Sequence, residues 1–395
     1  MPAANPGSRS GPLDGISVLD LSTVGPAARC TRLLCDYGAS VVKISPVPGR
    51  GPAPQIPPFY AYSGHRGMDR AHIDVRDRAG RDAFLSLASK ADVIVESFRP
   101  GVVERLGIGY SSVRELNERI VYCSTSGYGQ GGPRSQWAGH DVNYLAIGGF
   151  LASSCRRADG GPPLPGATVA DAAGGGMQAA LAITAALLAR QGTGVGAYLD
   201  VSVADGVLWL MSLQADEQLA TGSEPGPRHD VLTGRYACYD TYGTADDGWI
   251  AVGAIEAKFY ANLCRELGCE RWIDHQYDDD AQDAIRADFT AAFAKRARDE
   301  WVEELSSKDT CVAPVQSVSE LGRDPQYLYR GAFVDAEADE IGSFRQTGAV
   351  LAGMLRPTEP VKVRVDDFTD TTRLLEAAGV SRRQVQALVD EGVVT

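Results

Sequence analysis

Residues 16–44 read ISVLDLSTVGPAARCTRLLCDYGASVVKI. Their apolar runs flank a helical pattern, and that alternation decides the fold. The first run, ISVLDLS (16–22), is β-branched and apolar and predicts a strand. PAARCTRLLCDYG (26–38) predicts a helix, with Pro26 suited to its first turn and Gly38 to its stop. SVVKI (40–44) is the next strand. The unit repeats as helix 80–91, strand 92–98, helix 112–118 and strand 120–127. Strands apolar on both faces that alternate with helices predict a mostly parallel sheet covered by helices on both sides, an α/β fold.

The 395 residues suffice for a sizeable core and two domains. Hydrophobic residues at 44% and charged residues at 23% fit a soluble globular protein. A net charge of −13 excludes the broad basic surface that a nucleic-acid binder needs. It leaves room for a local basic pocket that takes one small anionic ligand. The eight cysteines are scattered without a CxxC pair, which predicts reduced thiols and neither a disulfide frame nor a zinc site. The opening MPAANPGSRSGPLDG lacks the apolar stretch of a secretory signal. Residues 177–189 are the most apolar helical stretch, but they fall short of a bilayer span and include Gln178 and Thr184. A cytoplasmic protein with no membrane insertion is therefore expected.

Along the chain, residues 1–12 are rich in Gly, Pro and Ser and predict a disordered lead-in. A long helix is expected over 174–190, a strand over 197–203, and a further helix to about 219. The polar stretch 220–234 is expected to be a linker. Beyond it, 236–256 predicts a hairpin around ADDG, 257–268 and 281–307 predict helices, and CVAPV (311–315) a strand. Residues 235–320 thus form a smaller α+β domain inserted between 13–219 and 321–395.

GYGQGG (127–132) fits a dinucleotide fingerprint by letter. Pro133 follows where a helix should open, and LASSCRR stands where the acidic residue should be, so a nicotinamide site is not expected. GxSxG, Walker A and HExxH patterns are absent. Lys43, Arg50, Arg66, Arg70, Arg99 and Arg105 fall at or just beyond predicted strand ends, the edge where open α/β sheets bind ligands. Singly, each is most simply a solvated charge. As a group in an acidic chain, together with Gly127 and Gly129, they are candidates to hold a phosphorylated cofactor.

Several motifs, in order, resemble the family III coenzyme A transferases and, within them, the α-methylacyl-CoA racemases. They include PLDGISVLDLS, LLCDYGASVVKI, ESFRPGVVERLGIGY, SGYGQGGPRSQWAGHDVNYLAIGG, VADAAGGG, TGVGAYLDVSVADG and YDTYGTADDGWIAVGAIEAKFY. The resemblance implies a Rossmann-like large domain built from both chain ends, a small domain, and an interlocked homodimer. It implies an acyl-CoA substrate, with no cofactor beyond the coenzyme A that the substrate carries. It also implies three catalytic residues: His140 in GHDVNY, Asp171 in VADAAGGG and Glu256 in GAIEAKFY. In the transferase branch the aspartate matching Asp171 carries the acyl group. That branch usually has a glycine-rich loop ending in glutamine, which is not found here. The glutamine that formyl-CoA transferases place after the first strand is replaced by Gly25. Ser45, Pro46 and Met68 depart from the family around the nucleotide end of the coenzyme.

Racemising a 2-methylacyl thioester needs two acid/base groups, one deprotonated while the other holds a proton. His140 and Asp171 are suitable types, with Glu256 implied as the orienting carboxylate of His140. Gly174 to Gly176 are expected to bring backbone N–H groups to the thioester oxygen. Without the resemblance, His140, Asp171 and Glu256 would each be read as helix caps or residues matched to a helix dipole. The alternatives carried forward are a transferase acting through acyl-Asp171 and a non-catalytic acyl-CoA or lipid-binding protein.

Overall fold

The computed structural model describes residues 11–49, 65–339, 341–364 and 369–395. Most of the expected lead-in and Arg50 lie outside the described residues. Six strands form the main sheet: β1 (Ser17–Asp20), β2 (Ser40–Ser45), β3 (Asp69–His72), β4 (Val93–Glu96), β5 (Val121–Ser126) and β6 (Ala197–Ser202). Their order is β3-β2-β1-β4-β5-β6 and every pair is parallel. The order reverses between β1 and β4, which opens a crevice beyond their carboxyl ends. Helices connected with this sheet include α1 (Gly25–Asp36), α2 (Arg78–Ala88), α3 (Val102–Leu106), α4 (Asp141–Ile147), α5 (Gln178–Thr193) and α6 (Val203–Leu210).

Alternate residues of the central strands enter two different cores. Leu19, Ile94 and Tyr122 face a layer holding Phe84 of α2, while Val18, Val93 and Val121 face Leu34 of α1 and Ile183 of α5. Each fully buried branched side chain contributes about 1.5–3 kcal/mol of transfer free energy. Double-sided burial is why these strands are apolar throughout.

The chain divides into two compact units, one of residues 1–149, 165–211 and 325–395, the other of 150–164 and 212–324. In the second unit, β7 (Tyr239–Gly243) and β8 (Trp249–Gly253) form the expected hairpin, and β9 (Val312–Pro314) adds to it antiparallel. Tyr242, Phe289, Phe293 and Trp301 build its aromatic centre. The single helix expected over 281–307 is two: Gln282–Phe293 and Arg298–Leu305. Ala297 between them is extended, and the Glu300 carboxylate accepts its N–H at 3.0 Å, which caps the second helix.

The long helix also differs from expectation. It opens at Ala170, and Ala170–Met177 is a π-helical stretch that runs directly into α5. At Ala170–Thr193 the whole is long and apolar enough, by length and composition, to cross a membrane, which corrects the shorter segment read from sequence. Its Ala179, Ala180, Ile183 and Leu187 pack in the sheet core, and buried Arg190 pairs with Asp92 at 2.8 Å, as a layer helix does.

Glycines set how closely these helices approach. A Cβ on Gly175 would stand 2.4 Å from Pro26 Cβ of α1, and one on Gly206 of α6 would stand 1.9 Å from the Gly174 carbonyl oxygen. Gly206→Ala is therefore expected to destabilise the protein by about 2–3 kcal/mol through overpacking. Gly192→Ala, where the added methyl meets open space, is expected to be neutral or to stabilise by about 0.5 kcal/mol. Calorimetric unfolding of the pair checks this. Equal transition temperatures would contradict the role assigned to Gly206.

Candidate active site

His140 and Asp171 come from separate stretches of the first unit, and His140 acts electrostatically on Asp171. His140 occupies the N-cap position of α4 in an extended conformation. Its backbone N–H donates to Asn143 Oδ1 at 3.0 Å, so Asn143 closes the cap and the imidazole does not. The ring is exposed and makes no hydrogen bond or ion pair among the described residues. The next residue, Asp141, accepts the backbone N–H of Asp171 at 2.9 Å through Oδ1. That bond ties the start of α4 to the π-helical turn.

Asp171 is the second residue of that turn, not its cap, and its side chain is half-buried. Its Oδ2 lies 3.8 Å from where a Cβ on Gly25 would stand, beside the opening of α1. Gly25 has φ +77°, a conformation that glycine adopts without strain. Burial raises the Asp171 pKa most, and the Asp141 charge raises it further. Arg29 and His140 pull it back only in part. Burial thus outweighs the cations that favour the charged carboxylate.

Arg29, on α1, escaped the sequence reading. A lone arginine inside an amphipathic helix pattern carries no signal of a site. Its Nη2 donates to Thr168 Oγ1 at 2.6 Å, and its charge acts on Asp171. Tyr144 was missed too. Its hydroxyl donates to the Gly139 carbonyl at 2.6 Å, just before His140. Its ring lies so close to Gly127 and Gly139 that a Cβ on either would come within 2.4 and 2.7 Å of it. Burial pushes the Tyr144 phenol to about 12, so it remains a donor at neutral pH.

The coenzyme candidates divide sharply. Lys43 is buried, with its ammonium 2.8 Å from Asp20, so its charge is satisfied inside the protein. Arg66 is likewise buried. It donates to Gln346 Oε1 at 2.7 Å and the Thr347 carbonyl at 2.8 Å, and it pairs with Asp36. Both act as internal clamps, because a cation this deep needs fixed partners. Arg99 and Arg105 are exposed after β4 and make no ion pair or side-chain hydrogen bond among the described residues. Gly127 makes room for Tyr144. Gly129, at φ +83°, turns the chain so that the Gln130 N–H reaches the Asp200 carboxylate at 3.0 Å.

Gly174, Gly175 and Gly176 are buried, and a Cβ on each would meet α1 or α6, so their lack of a side chain lets these helices pack closely. Glu256 belongs to the second unit, where it is exposed at the N-cap of α7 (Ala257–Glu266). Among the described residues, no His/Cys/Asp/Glu group is arranged to hold a metal.

Residues 13–363 match the sequence profile of CoA-transferase family III. The chain is 32% identical over 383 residues to the alpha-methylacyl-CoA racemase of Homo sapiens, covering 97% of each. It is 30% identical over 379 residues to the acetyl-CoA:oxalate CoA-transferase of Acetobacter aceti, covering 92% of each. A CAIB/BAIF family protein from Brucella suis, known from its crystal structure, superposes with a TM-score of 0.75 at 26% identity, over 90% of this chain and 95% of that one.

The electrostatics around Asp171 can be tested without any substrate. Removing the neighbouring anion (Asp141→Asn) is expected to lower the Asp171 pKa, and removing the neighbouring cation (Arg29→Met) to raise it. Carbon-13 carboxyl NMR titration of aspartate-labelled protein reads both shifts. Shifts of the same sign in the two variants would contradict this arrangement.

Proposed function

Because the chain belongs to CoA-transferase family III, we propose that it racemises 2-methylacyl-CoA thioesters by moving the α-proton between His140 and Asp171. The observation that carries this reading is the Asp141 bridge, which brings the exposed imidazole and the half-buried carboxyl to one place. A thioester carbonyl makes the α-hydrogen acidic, since the electron pair left by the proton spreads onto the carbonyl oxygen. Neutral His140 takes the proton from one face while Asp171, its pKa raised, returns one to the other. The groups then stand in exchanged protonation states, ready for the reverse reaction. Glu256 is assigned the orienting role towards His140.

Arg99 and Arg105 are the residues proposed to grip the coenzyme's phosphates. They stand exposed beyond β4, beside the reversal of strand order. No cofactor is assigned beyond the coenzyme A that enters with the substrate. Met177, Leu181 and Leu188 form an exposed apolar stripe along the long helix, and Leu208 and Trp209 of α6 are exposed too. Such a patch supports a homodimer, with the second copy and not lipid covering it. All eight cysteines are free, which supports a cytoplasmic, reducing location.

The second reading, a transferase carrying its acyl group on Asp171, is favoured by the transferase relatives at similar identity. One experiment separates the two. The protein is incubated with a 2-methylacyl-CoA in D₂O and the α-hydrogen followed by NMR, beside His140→Ala and Asp171→Ala. Racemisation predicts deuterium incorporation with loss of optical purity, falling by about 10²-fold or more in each variant. Transfer of CoA to an added carboxylate without exchange, abolished only by Asp171→Ala, would favour the transferase. Tight CoA binding with neither activity would point to a binding protein.

A further inference from the structure

Two buried carboxylates stand at the carboxyl ends of the neighbouring strands β1 and β4, and each accepts the backbone N–H two residues on. Asp20 takes the Ser22 N–H at 2.7 Å, and Glu96 takes the Phe98 N–H at 2.7 Å. Asp20 also has a cation, Lys43, at 2.8 Å. Glu96 is only 1% exposed. The Ser124 hydroxyl on β5 and Glu104 on α3 act on it, its own charge is felt by Tyr122, Cys123 and Tyr198 of β5 and β6, and Asp200 acts on the same cluster. None of these is a cation. Burial, the largest influence, lifts the Glu96 carboxyl to about 7, while the Ser124 and Phe98 hydrogen bonds oppose it.

The segment that Glu96 anchors turns at Gly101, φ +83°, and enters α3, so it carries both Arg99 and Arg105. We propose that Glu96 is the positioning residue of this loop, holding Phe98 so that Arg99 stands at the sheet edge, and that it gains a proton when an anionic coenzyme binds there. The proposal rests on the reading of Arg99 and Arg105 as coenzyme ligands. Asp20 keeps its charge balanced by Lys43. Among the described residues Glu96 has no such partner, so phosphates arriving on its loop favour its neutral form. By linkage, a ligand that favours the protonated state binds more weakly as pH rises through the pKa of that group.

Calorimetric titration of coenzyme A itself, in buffers of different ionisation enthalpy between about pH 6 and pH 8.5, reads the proton directly. The wild type is expected to take up more protons than Glu96→Gln, and to lose up to about tenfold more affinity across that range. Comparing the two cancels the ionisation of the coenzyme's own phosphate. Glu96→Gln still accepts the Phe98 N–H and should bind well, whereas Glu96→Ala should bind more weakly at every pH. Equal proton uptake in wild type and Glu96→Gln would overturn the coupling, and full affinity in Glu96→Ala would overturn the positioning role. Arg99→Ala and Arg105→Ala test the underlying reading separately, each expected to weaken binding by about tenfold. If they do not, the loop is not the coenzyme site. The anchoring itself is read without ligand from the Phe98 amide resonance, which should titrate near neutral pH in the wild type and stay fixed in Glu96→Gln.

Discussion

Helix α1 and the Ala170–Met177 turn approach so closely that side chains on the facing positions would collide. Gly175 faces Pro26, Gly176 faces Arg29, and on the other side Gly174 backs onto Gly206 of α6. Without Cβ atoms these backbones nest, and the whole site follows from that nesting. Asp171, one turn before the glycines, is delivered to the opening of α1. Arg29 is delivered beside it from the α1 side, and the Asp141 carboxylate closes the third side. A π-helical stretch widens the turn just where this happens, a distortion often found at functional sites. The same three glycines, read alone, invite an anion-binding interpretation. Their burial against α1 and α6 gives them a packing role.

Charge is handled in three different ways within this unit. Asp20 is fully buried but carries Lys43, two hydroxyl donors and an amide, so nothing is left unsatisfied. Arg66 and Arg190 are buried cations with fixed partners. Asp171 and Glu96 are raised in pKa because burial outweighs the groups that favour their charged forms. Of these groups, Glu96 is pushed up to about 7, and Asp171 is raised for the same reason, its burial. Both members of that kind stand beside the β1/β4 reversal, one at the end of β4 and the other against the opening of α1. Structural and reactive charges are thus told apart by their partners and not by their residue type, a distinction invisible in a list of lysines, arginines and carboxylates.

The parallel sheet was legible in the sequence because strands buried on both faces must be apolar at every position, as VIVE and VYCSTS nearly are. β3 was not, since DRAH (69–72) is polar and becomes a strand only by pairing with β2. The helix over 281–307 was continuous by composition, yet a single capping bond from Glu300 splits it. His140 and Asp171 were visible as members of motifs, whereas Arg29 and Tyr144 were not, because a residue that shapes a site from a neighbouring helix leaves no local pattern. By itself, then, the sequence determined the order of strands and helices, the double-sided core, the family resemblance and the residue types able to move a proton. The tertiary structure decided which cations are clamps and which are free, why the glycines are there, and which carboxyls burial pushes towards their protonated form. The physical reason is that periodic burial is a local property of the chain, whereas desolvation and charge pairing depend on neighbours drawn from far along it.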